Sequence, residues 1–142
     1  MTAKEELSQY KYKRKKVDET LEEYQKYKTR AEKMTSIISD SPSRTNLTSD
    51  KVGDNASIMA DLEKEYEQRW IDAEYEKLNI EKIINMVEEP YRTILHMRYI
   101  EDLPLMEVAT KLNYNSYTYA CEQHGIALKK YEENRTYPKT SE

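Results

Sequence analysis

Apolar residues recur along the first part of the chain at Leu7, Tyr10, Val17, Leu21, Tyr24, Ala31 and Ile38. The steps alternate between three and four, and Arg14, Lys28 and Thr35 hold the remaining slots. A stripe of that period is one side of a long helix, roughly 47 Å over its length at about 1.5 Å per residue. Such a helix needs a partner for its apolar side. Residues 39–57 supply a break: Ser39-Asp40-Ser41-Pro42-Ser43 and Asp50-Lys51-Val52-Gly53-Asp54 are rich in turn formers and predict a loop. A loop of that length is uncommon without a function or disorder. A second helix is expected from about Ser57, with Asp54, Asn55 or Ser57 as its cap. Met59, Leu62, Tyr66, Ala73, Ile80, Ile83, Ile84 and Val87 repeat the stripe there, interrupted by Arg69 or Trp70 and by Glu76 or Lys77. The arms match in length, so residues 1–89 read as a long antiparallel, coiled-coil-like hairpin that ends at Glu88-Glu89-Pro90.

The rhythm shortens over residues 90–131. Ile94, Leu95, Met97 and Tyr99 give a first short helix an apolar side, and Glu101-Asp102-Leu103 breaks it before Pro104, whose fixed φ suits a helix start. Leu105, Val108, Ala109 and Leu112 form the buried stripe of a second helix. Asn113 tolerates the left-handed conformation that ends a helix, and Ser116 can cap the third. Ala120, His124, Ala127 and Tyr131 are the expected inner face of that helix, with Cys121 and Leu128 flanking. Two helices joined by so short a turn match the helix-turn-helix motif. Glu132–Glu142 reads as a polar, frayed tail. The fold expected is all-α: a hairpin followed by a small helix-turn-helix bundle.

Composition supports helix over sheet, with two Gly, four Pro and 35% charged residues. The chain has no apolar run long enough to span a bilayer and no apolar segment at its start. A lone Cys121 excludes an internal disulfide and fits a reducing cytoplasm. Thirteen Tyr and no Phe leave core, interface and base stacking all open. The net charge of −4 is unevenly spread: residues 1–57 carry 12 basic and 10 acidic groups, residues 58–90 carry 4 and 10, and residues 91–142 carry 7 of each. The helix-turn-helix stretch is therefore neutral, which argues against tight DNA binding by that stretch alone, because phosphate neutralisation supplies most nonspecific affinity.

Several residues in the C-terminal part carry a resemblance. Ile94-Leu95-His96-Met97-Arg98-Tyr99, Glu107-Val108-Ala109 with Leu112, and Ala127-Leu128-Lys129-Lys130 resemble region 4 of the sigma-70 family of RNA polymerase sigma factors. With Ser49-Asp50-Lys51-Val52-Gly53-Asp54 and His124-Gly125, the whole chain is similar to small phage and prophage proteins of Gram-positive bacteria that join a helical hairpin to such a C-terminus. The resemblance implies a cytoplasmic phage transcriptional regulator in a bacterial host. Its partners would be double-stranded promoter DNA and RNA polymerase, and it would need no cofactor. It also implies that Tyr117, Thr118, Cys121 and Glu122 face the bases, with Asn115 and Ser116 near phosphates. The bracketing cations Lys111 and Lys129 complete the candidate set, and no Lys or Arg lies between them. That is a departure from the sigma pattern, since Arg to guanine is the commonest specific readout. Glu122 can accept from cytosine N4 and Thr118 can touch a thymine methyl, but both contacts are weak without phosphate anchors. Pro104 also stands where a capping Ser or Thr is usual.

Other features have plainer readings. Lys11, Lys13, Arg14, Lys15 and Lys16, interleaved with Tyr10 and Tyr12, form a basic run that can hold nucleic-acid backbone. The simpler expectation is a solvated helix face that pairs with Glu81, Glu88 and Glu89. Trp70 is either an anchor for a second subunit or part of the hairpin seam. Arg98 is expected to brace the motif. His96 and His124 sit in apolar stripes, where packing is expected and a metal is not. Neither His stands by sequence beside a nucleophile with an orienting carboxylate, and Gly53 and Gly125 make no phosphate loop, so an enzyme is the least supported class. Two readings remain. One is a DNA-binding regulator that dimerises through the hairpin and so sets two third helices on one duplex. The other is a protein-binding adaptor whose sigma-like module does not read DNA.

Overall fold

A computed structural model describes residues 1–40 and 45–136, with side chains described over 1–34 and 53–136. Among the described residues the chain is helical with no strand. Helix α1 spans Ala3–Asp40, α2 spans Thr45–Ile84, α3 spans Tyr91–Leu95 and continues as a wider π turn over His96–Ile100, α4 spans Leu105–Lys111 and α5 spans Tyr117–Thr136. A capping box opens α1: the Thr2 hydroxyl accepts from the Glu5 N–H at 3.2 Å while the Glu5 carboxylate accepts from the Thr2 N–H at 3.0 Å.

The two long helices pair as an antiparallel hairpin. Side-chain links join Lys13 to Glu76, Thr20 to Arg69, Tyr24 to Glu63 and Met34 to Asn55, stepping forward along α1 and backward along α2 by nearly equal amounts. Helix also covers most of the stretch expected to be a loop at 39–57, since α2 begins at Thr45. Its turn formers, Gly53 among them, lower intrinsic propensity by only about 1 kcal/mol or less each, a bias that a packed partner helix overrides. The expected turn at Ser41-Pro42-Ser43 lies outside the described residues.

The seam differs from the expected one in its second series. Val17, Tyr10 and Tyr24 face inward as expected, but Thr20 is buried where Leu21 was expected, and Leu21 remains 39% exposed. Tyr27 is turned inward in place of Lys28, and Met34 is half-buried, so Arg14 and Lys28, which interrupted the apolar pattern, fall outside the seam; the expected seam positions Thr35 and Ile38 lie outside the residues whose side chains are described. Thr20 tolerates burial because its hydroxyl donates to the Lys16 carbonyl at 2.8 Å and accepts from Arg69 at 2.7 Å. On α2, Arg69 takes the seam slot and Trp70 lies beside it, 44% exposed.

The chain divides into two compact units, one of Met1–Lys13 with Ala73–Glu142 and the other of Arg14–Asp72. The division thus falls inside the long helices and not at Pro90. In the first unit Ala3, Leu7, Tyr10, Ile80, Ile84 and Val87 share a core with Ile94, Leu95, Tyr99, Val108, Ala120, Ala127 and Tyr131. Ion pairs rim it: Arg135 to Glu6 at 2.7 Å, Lys130 to Glu88 at 3.1 Å and Lys11 to Asp102 at 3.3 Å. Helix α5 continues to Thr136, past the expected start of a frayed tail at Glu132, because Asn134 is buried with its amide donating to the Lys130 carbonyl and Arg135 reaches Glu6. Residues 137–142 lie outside the described residues. No helix among the described residues is long and apolar enough to cross a membrane.

Candidate functional site

The candidate site is built from short helices whose ends are locally specified. Asp102 adopts φ 56°, which reverses the chain after the π turn, and Pro104 follows with extended backbone and gives α4 no side-chain cap. Val108 and Ala109 bury one side of α4. Asn113, at φ 57°, then ends the helix: its N–H donates to the Thr110 carbonyl at 3.2 Å, and the Tyr114 N–H reaches back to the Ala109 carbonyl at 2.9 Å. This double closure is a Schellman motif with Asn in the left-handed place. Three residues later the Ser116 hydroxyl accepts from the Tyr119 N–H at 3.1 Å and caps α5. Helix α5 packs on α3 and α4 through Ala120, Ala127 and Tyr131.

At 3.6 residues per turn, burying that stripe turns Thr118, Glu122 and Lys129 outward on one face. Asn115 and Ser116 stand exposed at its start, and Lys111 is exposed at the end of α4. Tyr117 and Cys121 lie to one side, one helical turn apart, and the nearby Cys121 thiol raises the Tyr117 phenol above its ordinary pKa. Tyr119 lies to the other side, edge-on to the Tyr114 ring at 4.9 Å. The six candidates within Asn115–Glu122 therefore split between an outward pair, two flanking side chains and two residues of the turn.

The structure brings one further cation to this end of α5. Arg98 braces the motif, its guanidinium donating to the Leu103 carbonyl at 3.4 Å and standing 3.9 Å from the Asp102 carboxylate. Its charge also reaches the Tyr117 hydroxyl, where it partly offsets the rise, and the His124 ring, where it adds to the fall that burial causes. Sequence spacing alone gave no sign of this second role, because Arg98 precedes α4 and comes near α5 only through the packing of α3.

His124 packs as expected. A 2.7 Å hydrogen bond joins its Nε2 to the Tyr99 hydroxyl, and the rings stack at 5.6 Å. Burial, followed by the Arg98 and Lys4 charges, pushes the imidazole pKa down to about 4, while burial raises the Tyr99 phenol to about 12. His96 differs from its expected place in an apolar stripe: the π turn leaves it exposed, with Nδ1 3.4 Å from Glu101.

The remaining interaction candidates sit on the long helices. Lys13 pairs with Glu76 at 3.2 Å and Arg14 with Asp18 at 3.9 Å, while Lys15 and Lys16 are exposed. Of the expected acidic partners, Glu88 holds Lys130 and Glu89 holds Arg92 and the Thr93 hydroxyl, and among the described residues no ion pair joins Glu81 to the basic run. The reason is geometric, since an antiparallel register sets Lys13 opposite Glu76, several turns before Glu88. Trp70, with Tyr66, Glu67 and Ile71, lines an open hollow of about 310 Å³ on α2.

Residues 48–131 fit a family described as a protein of unknown function, DUF1492. No curated protein and no solved structure matches the chain.

Proposed function

We propose, from the premise that this chain belongs to the DUF1492 family, that it is a phage-type transcriptional regulator. It would act in the cytoplasm of a bacterial host and engage promoter DNA with the outward face of α5. The observation that carries the reading is the Schellman turn at Asn113 followed by the Ser116 cap, which joins a short α4 to a longer α5 and leaves Thr118, Glu122 and Lys129 facing outward. That is the geometry by which a second helix enters a major groove. In this reading Thr118 and Glu122 meet base edges, and Asn115, Ser116, Lys111 and Lys129 meet phosphates.

The test is fluorescence anisotropy of fragments of the parent genome at several salt concentrations. Specific, salt-sensitive binding is expected, and Lys129→Ala should lower the magnitude of the log–log salt slope by about 1 while weakening all sequences alike. No retention of any fragment at low salt would overturn the reading.

A second reading is favoured by the surface itself. Met106, Tyr117 and Tyr119 are all exposed, and α5 carries no cation before Lys129, which suits contact with a protein such as RNA polymerase better than contact with phosphates. Titration against purified bacterial RNA polymerase without DNA separates the two. Saturable binding that survives high salt and is lost in Met106→Glu supports an adaptor, and no binding removes it.

A further inference from the structure

Over its described residues the Arg14–Asp72 unit buries few apolar side chains, and the half-exposed apolar residues beside its seam point to what completes it. Leu21 and Trp70 remain 39% and 44% exposed. Each follows the inward residue, Thr20 or Arg69, by one position. One residue is about 100° of helix rotation, and because the helices are antiparallel, the same rotation on each carries both side chains to the same face of the pair. They are also nearly level: Thr20 meets Arg69, so Leu21 lies opposite Gln68, about 3 Å along the axis from Trp70 at 1.5 Å per residue.

The two helices carry charges of opposite sign on that face, one heptad from the apolar pair. One heptad beyond Leu21 on α1 stands Lys28, and one heptad before Trp70 on α2 stands Glu63. Both are exposed, and Lys28 has no ion pair among the described residues. Among the described residues Glu63 accepts from the Tyr24 hydroxyl, at 3.1 Å, and has no ion pair. The face thus offers apolar-then-basic on one helix and apolar-then-acidic on the other.

We propose that this face binds a second copy of the chain, about a two-fold axis parallel to the helices, to form an antiparallel four-helix bundle. That axis sets α1 of one copy on α2 of the other and preserves level, so Leu21 packs against Trp70 of the second copy and Lys28 comes within reach of its Glu63, each contact occurring twice. An axis across the helices would instead stack α1 on α1 and bring Lys28 toward Arg14, like on like. The area is sufficient but small. Two helices about 10 Å wide and 30 Å long present roughly 600 Å² per copy, about 1,200 Å² in all, at the low end of specific interfaces. The dimer should therefore form with a Kd in the micromolar range. This inference rests on the hairpin and not on what α5 binds, so it stands or falls apart from the DNA reading.

Sedimentation velocity of the full chain, with circular dichroism to confirm helicity, tests it. A monomer–dimer equilibrium is expected, fully monomeric in Trp70→Glu with helicity kept. Lys28→Glu and Glu63→Lys should each weaken the dimer by roughly tenfold, and the double variant should recover most of that loss. A monomer at about 100 µM overturns the proposal, since that concentration exceeds a micromolar Kd. So does a dimer unaffected by Trp70→Glu. A dimer sensitive to Trp70→Glu but without charge-swap recovery overturns the α1-on-α2 pairing.

Discussion

The two compact units are built from the same two long helices, yet they bury very different things. In the unit of Met1–Lys13 with Ala73–Glu142, the ends of α1 and α2 meet three further helices, and a contiguous core runs from Leu7 and Ile80 through Ile94, Leu95 and Val108 to Ala127 and Tyr131. Over the described residues of Arg14–Asp72, only Val17 and Leu62 are buried apolar side chains, and a hydrogen-bonded Thr20 fills the slot between them. Two amphipathic helices have one narrow seam to share, whereas a third layer lets each helix bury a broad side. The lesson is that a continuous helix need not be uniformly stable along its length.

The comparison breaks most directly under matched truncations. Leu95→Ala should cost about 2–5 kcal/mol, because Leu95 is wholly buried and its truncation leaves a cavity. Leu62→Ala, in the thinner unit, should cost about 1–2 kcal/mol, since neighbours at a two-helix seam can close over the gap. Urea titration of both variants below the dimer concentration measures the difference. Equal costs would mean that the two units are equally well packed.

A smaller effect separates the units by acid. His124 belongs to the well-packed unit, and its pKa falls from an unfolded value of 6.5 to about 4. The unfolded chain therefore takes up this proton first as pH falls. Stability should decline between about pH 6.5 and 4 and be insensitive to this group above and below that window. With allowance for partial exposure, the loss is about 2 kcal/mol at most. Thermal melts across that range should show the decline, and His124→Gln should flatten it; an unchanged slope in His124→Gln would place the acid sensitivity elsewhere.

The smallest predicted effect is a gain. Gly125 lies inside α5, and a Cβ built there meets nothing within 4 Å. Gly125→Ala should raise stability by about 0.5–1 kcal/mol, seen as a higher denaturation midpoint. The same variant sharpens the proposed function, since weaker DNA binding in a more stable protein would mean that the ligand backbone approaches this turn closely.

Much of the small-helix region was legible because single residues specify it. The left-handed Asn113, the Ser116 cap and the inner stripe of α5 follow from side-chain chemistry that acts within a few residues. What escaped the sequence depends on partners far along the chain. The slip from Leu21 to Thr20 is invisible to an apolar count, because it relies on an arginine forty-nine residues on to satisfy the hydroxyl. The helix through Thr45–Ser57 runs against its local propensity, and a link to α1 falls near its end, where Asn55 bonds Met34. In the candidate site the outward set of Thr118, Glu122 and Lys129 follows from helical period, while the approach of the Arg98 charge to Tyr117 follows from how α3 packs.

The ion pair between Glu6 and Arg135 joins residues 129 positions apart, and Leu7, one residue beyond Glu6, is fully buried in the same unit as Tyr131. On the ribosome, Glu6 therefore emerges long before the helix that carries Arg135. Contacts of such long sequence separation close late, after the intervening loop entropy has been overcome. The Glu6–Arg135 pair therefore forms after the α1–α2 seam, whose partners lie closer along the chain and are made earlier.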